Sequence, residues 1–195
     1  MSRGVLHAVV GPSGVGKDSL IDAARQARPD LHFPVRVITR PEGAGGEIHD
    51  PCTPEAFEAR RAAGDFMLDW GAHGLFYGVP ASAEAVLAGG GHVLVNLSRS
   101  RVAQARARFA PLRVLAVTAP ASVLAARLAA RGRESREEVE KRLARADLAA
   151  PEGPDVIEIR NDGPLERSVS AFLDALAPPS NRRKTPEKAP RRSLA

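Results

Sequence analysis

The sequence predicts a three-layer α/β/α domain, a parallel five-stranded sheet with a small substrate-binding subdomain inserted into it. Three observations lead there: five short apolar runs rich in β-branched residues, helical patterns between them, and one stretch, residues 40 to 90, that breaks the alternation. A chain of 195 residues suits one such domain, and 44% apolar with 26% charged residues is enough to bury a core. With 17 glycines and 16 prolines the composition is neither collagen-like nor low-complexity, so disorder of the whole is excluded.

The elements follow in order. VLHAVV (Val5–Val10), bounded by glycines, reads as a buried parallel strand. A helix is expected from Lys17 to about Arg28, then a second strand at Val35–Ile38. In the insertion, Thr53-Pro54 starts a helix, and FMLDW and LFYGV are short strand-like pieces. HVLVNL (His92–Leu97), LRVLAVT (Leu112–Thr118) and VIEI (Val156–Ile159) complete the sheet, with helices at Ser100–Arg108, Ala121–Ala130, Arg136–Ala149 and Leu165–Leu176. Alternating strands and helices put ligands at the carboxyl ends of the strands, and the insertion is expected to close over substrate.

The formal net charge of +5 invites a nucleic-acid reading, and the location of the charge answers it. Residues 178 to 195 hold six basic residues and one acid, leaving 22 basic and 22 acidic residues in 1 to 177. The folded part is formally neutral, and the Pro-rich, aromatic-free end is expected to be a passive disordered tail with no specific nucleic-acid partner. Cys52 is the single cysteine, so no internal disulfide can form. Met1-Ser2-Arg3 passes directly into the first strand, and no run nears the roughly 20 apolar residues of a membrane span. A soluble, cytoplasmic protein is expected.

The chemistry lies directly after the first strand, in Gly11-Pro12-Ser13-Gly14-Val15-Gly16-Lys17-Asp18-Ser19. This fits the phosphate-binding loop G-x-x-x-x-G-K-[ST] at every fixed position but the last. Glycines permit conformations in which successive N–H groups point at phosphate oxygens, and the helix N-terminus adds partial positive charge. Lys17 then reaches the β and γ phosphates of a bound nucleoside triphosphate, expected to be ATP.

Asp18 stands where a hydroxyl normally ligates Mg²⁺. A bare carboxylate about 5 Å from one phosphate charge is repelled by about 3 kcal/mol at an effective dielectric near 20, which calls for a cation. Either Asp18 itself holds the Mg²⁺ or it turns away and Ser19 substitutes; Asp18 is favoured because Ser19 lies about 100° further round the helix.

With these motifs in place the chain resembles the guanylate-kinase-like group of P-loop NTPases, which share the nucleoside-monophosphate-kinase fold. More closely it resembles the ribose 1,5-bisphosphate phosphokinases of phosphonate catabolism. The carriers are GPSGVGKDSL, VITRP, GGEIH, AHGLFYGV, VLVNLSRSRVAQARARF, RLAARGRE and RNDG, and the resemblance covers about residues 4 to 177. GKDS together with VN-x-SR is the distinguishing pair; the departure is Leu97, where a small residue is expected. Guanylate kinases carry a second arginine soon after T-R-P, a tyrosine before the histidine of D-Y-H, and acids that read guanine. Here Glu42-Gly43-Ala44 follows T-R-P, Ile48 precedes His49, and Ser98 replaces the acid after the fourth strand. A site lacking those groups loses its grip on guanine, so GMP is not the expected acceptor.

The resemblance implies ATP-dependent phosphorylation of ribose 1,5-bisphosphate to 5-phosphoribosyl 1-diphosphate. Asn96, Ser98, Arg99 and Arg101 follow the fourth strand, and Arg36 and Arg40 flank the second. Arginine forks suit a sugar with two phosphates, about four negative charges in all, against the alternative of solvated surface charges. Arg40, Tyr77, Asn96, Ser98 and Arg99 are the candidate substrate contacts, although Tyr77 suits core packing nearly as well. By resemblance Arg131, in a lid at about 131–137, and Arg142, on the next helix, neutralise the transferred phosphoryl group; the alternative is an Arg-rich helix pairing with Glu134, Glu137, Glu138 and Glu140. Asn161-Asp162-Gly163 resembles the stretch that borders adenine. Histidines 7, 32, 49, 73 and 92 have no metal-ligand spacing; His49 and His73 are candidates for substrate contact, and Trp70 and the phenylalanines read as core. Two rivals remain: a nucleoside monophosphate kinase, and a non-catalytic binding module of the same shape, for which an intact phosphate cradle has no use.

Overall fold

Alternation within the strands sets the layers. In β1 (Leu6–Val10), Leu6, Ala8 and Val10 join one apolar cluster while Val9 joins another on the opposite face. Strands β7 (His92–Asn96) and β8 (Leu112–Thr118) repeat the pattern: Val93, Val95, Val114 and Ala116 face one way, Leu94, Leu115 and Val117 the other. A sheet apolar on both faces must be covered twice, which is why its strands read as continuous hydrophobic runs. These elements belong to a computed structural model that describes residues 4–41, 47–130 and 151–177.

The main sheet has the order β2-β7-β1-β8-β9, all parallel, with β2 at Leu31–His32 and β9 at Val156–Arg160. One face is covered by α1 (Lys17–Ala27), α5 (Ala121–Ala130) and α6 (Leu165–Leu176), through Leu20, Ala24, Leu124, Phe172 and Leu176. The other is covered by α4 (Val102–Arg108), α3 (Ser82–Ala88) and a second sheet, through Val102, Ala105, Ala83, Leu87, Met67 and Trp70. A 3₁₀ turn at Arg99–Arg101 precedes α4, which therefore begins at Val102 rather than at Ser100.

The second sheet is small and mixed, in the order β4-β3-β6-β5: β3 Val37–Ile38, β4 Asp50–Pro51, β5 Phe66–Ala72 and β6 Leu75–Pro80. His73 (φ 56°) and Gly74 (φ 74°) form the two-residue hairpin between β5 and β6, a turn that needs positive φ at both positions. Helix α2 (Pro54–Ala62) begins where Thr53-Pro54 predicts, the Thr53 hydroxyl oxygen accepting from the Ala56 N–H at 3.2 Å. It buries Phe57 against Phe66 and Phe76, with ring centroids 4.7 and 5.5 Å apart.

One expectation needs correcting. The second strand of the parallel sheet is Leu31–His32, which pairs with His92 and Val93, and not Val35–Ile38. Val37 and Ile38 are buried in the second sheet, against Gly78 and Tyr77 on one side and Asp50 and Pro51 on the other. Pro34 separates the two short strands and leaves Val35 46% exposed. The helix expected at Arg136–Ala149, the lid at 131–137 and the tail lie outside the described residues. No helix among the described residues is long and apolar enough to cross a membrane.

Candidate active site

The loop Gly11–Gly16 joins the carboxyl end of β1 to α1, whose first turn holds Lys17, Asp18 and Ser19. Two of its glycines are required by geometry. At Gly11 (φ 152°) a Cβ would lie 2.5 Å from the Val117 carbonyl oxygen, and at Gly16 (φ 91°) 2.5 Å from Asn161 Nδ2. Gly16 takes the left-handed conformation and caps α1 with no side-chain hydrogen bond, leaving the helix N-terminus open. Val15 is fully buried and pins the loop to the core; Pro12, Ser13 and Gly14 form its half-buried crest. Asn161, buried at the end of β9, donates from Nδ2 to the Val15 carbonyl at 2.7 Å, while its Oδ1 is buried with no hydrogen-bond partner among the described residues.

Lys17 Nζ donates to the carbonyls of Gly11 and Pro12, each at 2.9 Å. Burial lowers its ammonium from 10.5 to about 8; Asp18 and Glu47 push the other way, while Arg36 and Arg99 lower it further. That set of neighbours is informative, because it joins residues 17, 36, 47 and 99 into one electrostatic neighbourhood. Asp18 and Ser19 are exposed in the first turn of α1. Among the described residues no group of three or more His, Cys, Asp or Glu could hold a metal ion, so Asp18 is a single-carboxylate donor with the Ser19 hydroxyl next to it. That donor set fits Mg²⁺, which dehydrates reluctantly and is usually held by one or two carboxylates together with phosphate oxygens and water.

The opposite wall is built on Arg36. Its guanidinium is buried, lies 5.4 Å from the centroid of Trp70 and 5.3 Å from that of Tyr77, and those rings stack within 5° of parallel. Nη1 donates to the Asn96 carbonyl at 3.0 Å, while Nε (3.2 Å) and Nη2 both donate to the Glu47 carboxylate. Arg40, at the end of β3, donates from Nη2 to the Glu47 carbonyl at 3.4 Å and lies 3.2 Å from His49 Nδ1. His49 Nε2 lies 3.1 Å from the Arg40 carbonyl, so a ring protonated at Nε2 donates there and accepts from Arg40 at Nδ1. Arg40 Nε is buried and has no hydrogen-bond partner among the described residues.

Beyond β7, the Ser98 hydroxyl lies 3.0 Å from that of Ser100, and burial lowers the half-buried Arg99 guanidinium below its ordinary value. Leu97, the departure noted above, is 3% exposed and packs in the cluster that includes Trp70 and Val79. The phosphate-binding loop follows β1, and Asn96, Ser98 and Arg99 lie at and beyond the carboxyl end of β7; Arg36 and Arg40 flank the short β3, and Tyr77 in β6 lies against Arg36. Arg131 and Arg142 lie outside the described residues. His73 sits in the hairpin turn, away from Arg40 and His49 in sequence and in pairing. Glu47 is not among the site residues expected from the sequence; the signal was an acid inside an otherwise basic set of motifs, GGEIH.

No protein-family model matches the chain. It is 51% identical over 169 residues, 86% of its own length and 89% of the relative's, to the ribose 1,5-bisphosphate phosphokinase PhnN of Ruegeria sp. strain TM1040. To the ribose 1,5-bisphosphate phosphokinase PhnN of Rhizobium etli it is 46% identical over 180 residues, covering 89% and 91% of the two chains. Among solved structures it is similar to a guanylate kinase from Anaplasma phagocytophilum, with a TM-score of 0.65, 18% identity, and 94% and 89% of the chains covered. At that identity the likeness concerns the fold, which is guanylate kinase-like.

Proposed function

We propose that this chain, which belongs to the ribose 1,5-bisphosphate phosphokinase family, moves the γ-phosphoryl group of ATP onto the 1-phosphate of ribose 1,5-bisphosphate, giving 5-phosphoribosyl 1-diphosphate. The observation that carries the reading is the phosphate-binding loop with Lys17 at its head, in a chain of that family. A kinase needs donor and acceptor anions side by side, and the hydrogen-bonded set Arg36, Glu47, Arg40 and Asn96 supports the acceptor side of this reading.

In the transfer, an oxygen of the 1-phosphate attacks the γ-phosphorus in line. The bond from that phosphorus to the β–γ bridging oxygen breaks, and ADP leaves with the electron pair. The acceptor phosphate has its second pKa near 6 and is largely deprotonated at neutral pH, so no general base is needed. The work left to the protein is positioning and charge neutralisation. Main-chain N–H groups of Gly11 and of residues 13 to 16, with the Lys17 ammonium, hold the triphosphate; Pro12, which has no N–H, shapes the loop, and Ser19 lies beside them. Asp18 would hold a Mg²⁺ ion, which neutralises phosphate charge when bound. Asn161 borders the nucleotide from beneath the loop, where its amide already braces Val15. Arg40, whose Nε has no partner among the described residues, Arg99, Ser98, Asn96 and Tyr77 orient the acceptor. Arg131 and Arg142 offset charge on the phosphoryl group in flight, a task for which one well-placed arginine supplies about 10³ to 10⁵ in rate.

A coupled ADP-release assay across ribose 1,5-bisphosphate, GMP, dGMP and AMP tests the proposal. Turnover is expected with the bisphosphate and not with the three nucleotides. Strong turnover with GMP and none with the bisphosphate would overturn it.

A further inference from the structure

We propose that Glu47 reads the hydroxyl edge of the acceptor sugar, and that Arg36 is the positioning residue that holds it there. The inference rests on the acceptor assignment above. Among the described residues Glu47 is an acid that pairs with Arg36 and, through its carbonyl, with Arg40, and its charge is felt at Lys17. A carboxylate in a phosphate pocket repels the ligand unless it faces a part of it that carries no charge. Ribose between two phosphates offers such a part, its 2- and 3-hydroxyl groups. An ionised carboxylate only accepts hydrogen bonds, so O–H donors are what it can recognise.

The geometry leaves it free to do so. A carboxylate has about four lone-pair sites, and the Arg36 fork occupies two. The Glu47 side chain is 24% exposed against 7% for Arg36, so part of the carboxylate stays accessible while its partner is enclosed. Three of the five Arg36 N–H donors are taken, Nε and Nη2 by Glu47 and Nη1 by the Asn96 carbonyl, and its face lies against Trp70 and Tyr77. Its side chain is only 7% exposed, which suits a support for Glu47 better than a phosphate ligand. The Glu47 carbonyl accepts from Arg40, so the residue is held at backbone and side chain together. An acceptor site of this kind rejects a sugar lacking the matching hydroxyl more strongly than an apolar site does, because the bound sugar then shields the carboxylate from water without supplying a donor.

The test measures kcat/KM for ribose 1,5-bisphosphate and for its 2-deoxy and 3-deoxy analogues, in the unmodified protein, Glu47→Gln and Arg36→Lys. The unmodified protein should prefer the ribose compound by about a hundredfold or more over at least one analogue. Glu47→Gln should shrink that ratio at least about tenfold, with the Mg²⁺ requirement unchanged and the ATP Kd unchanged at pH 6.5, where Lys17 is protonated in both proteins. Arg36→Lys, which keeps the charge and loses the fork, should shrink it too, a change that mere loss of stability does not produce. Equal losses on all three acceptors, an altered Mg²⁺ requirement, or no preference in the unmodified protein would each overturn the inference. Absence of turnover with ribose 1,5-bisphosphate itself would instead remove the acceptor assignment, and this inference with it.

Discussion

Lys17 must be charged to hold a triphosphate, yet it lies where charge is costly. Burial, with Arg36 and Arg99 adding to it against Asp18 and Glu47, brings its ammonium down to about 8. A phosphate ligand binds the protonated form, so nucleotide affinity should be level below about pH 7. Above pH 8 it should weaken by up to about tenfold per pH unit. Folding stability responds with the opposite sign. Between about 8 and 10.5 the unfolded chain binds the Lys17 proton and the folded chain does not, so in that window this group makes the protein more stable as pH rises. The full cost of burying the charge is present below pH 8. Calorimetric titration of ATP from pH 6.5 to 9.5, alongside thermal unfolding of the free protein, separates the two. Lys17→Arg, whose guanidinium stays charged throughout, should remove the inflection in affinity near pH 8. An affinity profile flat across the range would show that Lys17 does not carry the binding charge.

At the level of elements, the second sheet depends on a short helix with a single side-chain cap. Thr53 accepts one of the otherwise orphaned N–H groups of α2, and Phe57 on that helix packs against Phe66 of β5 and Phe76 of β6. Thr53→Ala should cost about 1 kcal/mol, or a fall of roughly 2–4 °C in Tm for a chain of this size, measured by thermal or urea unfolding. Because α2 supports the acceptor side, KM for the acceptor should rise while the ATP Kd stays constant. The cap is legible in the sequence because Thr-Pro before an apolar residue is a local signal. The phosphate-binding loop is legible for the same reason: its glycines answer to contacts at Val117 and Asn161, but its pattern is contiguous. The assignment of Val37–Ile38 to a sheet is not legible, since β-branched apolarity marks a strand without naming its partner. Two residues at Leu31–His32 are too few to show a period at all, and only pairing with β7 reveals them as the sheet edge.

At the scale of the whole molecule, the acceptor wall shows where sequence reasoning stops. Arg36, Glu47 and Asn96 carry no joint pattern; the second sheet brings them together by folding back over the ends of β1 and β7. Charge distribution, in contrast, can be read from the sequence and leads to a prediction. Residues 178 to 195 carry six basic residues and one acid, which is the whole of the formal +5, and residues 1 to 177 are balanced. Both substrates are polyanions, so a cationic extension could speed their encounter by steering, an effect that reaches tenfold or more at low salt. At about 0.15 M ionic strength charges more than about 8 Å apart are largely screened. The charges proposed to act in catalysis, Lys17, Arg40, Arg99, Arg131 and Arg142, all precede the extension. Truncation after Ala177 should therefore leave kcat and both KM values within about twofold at that ionic strength, with Tm unchanged. It should also abolish retention on an immobilised polyanion such as heparin. A tenfold or greater loss of kcat/KM that persists at 0.15 M salt would mean that the extension contributes directly to the site, and that the balanced charge of residues 1 to 177 is not sufficient for the reaction.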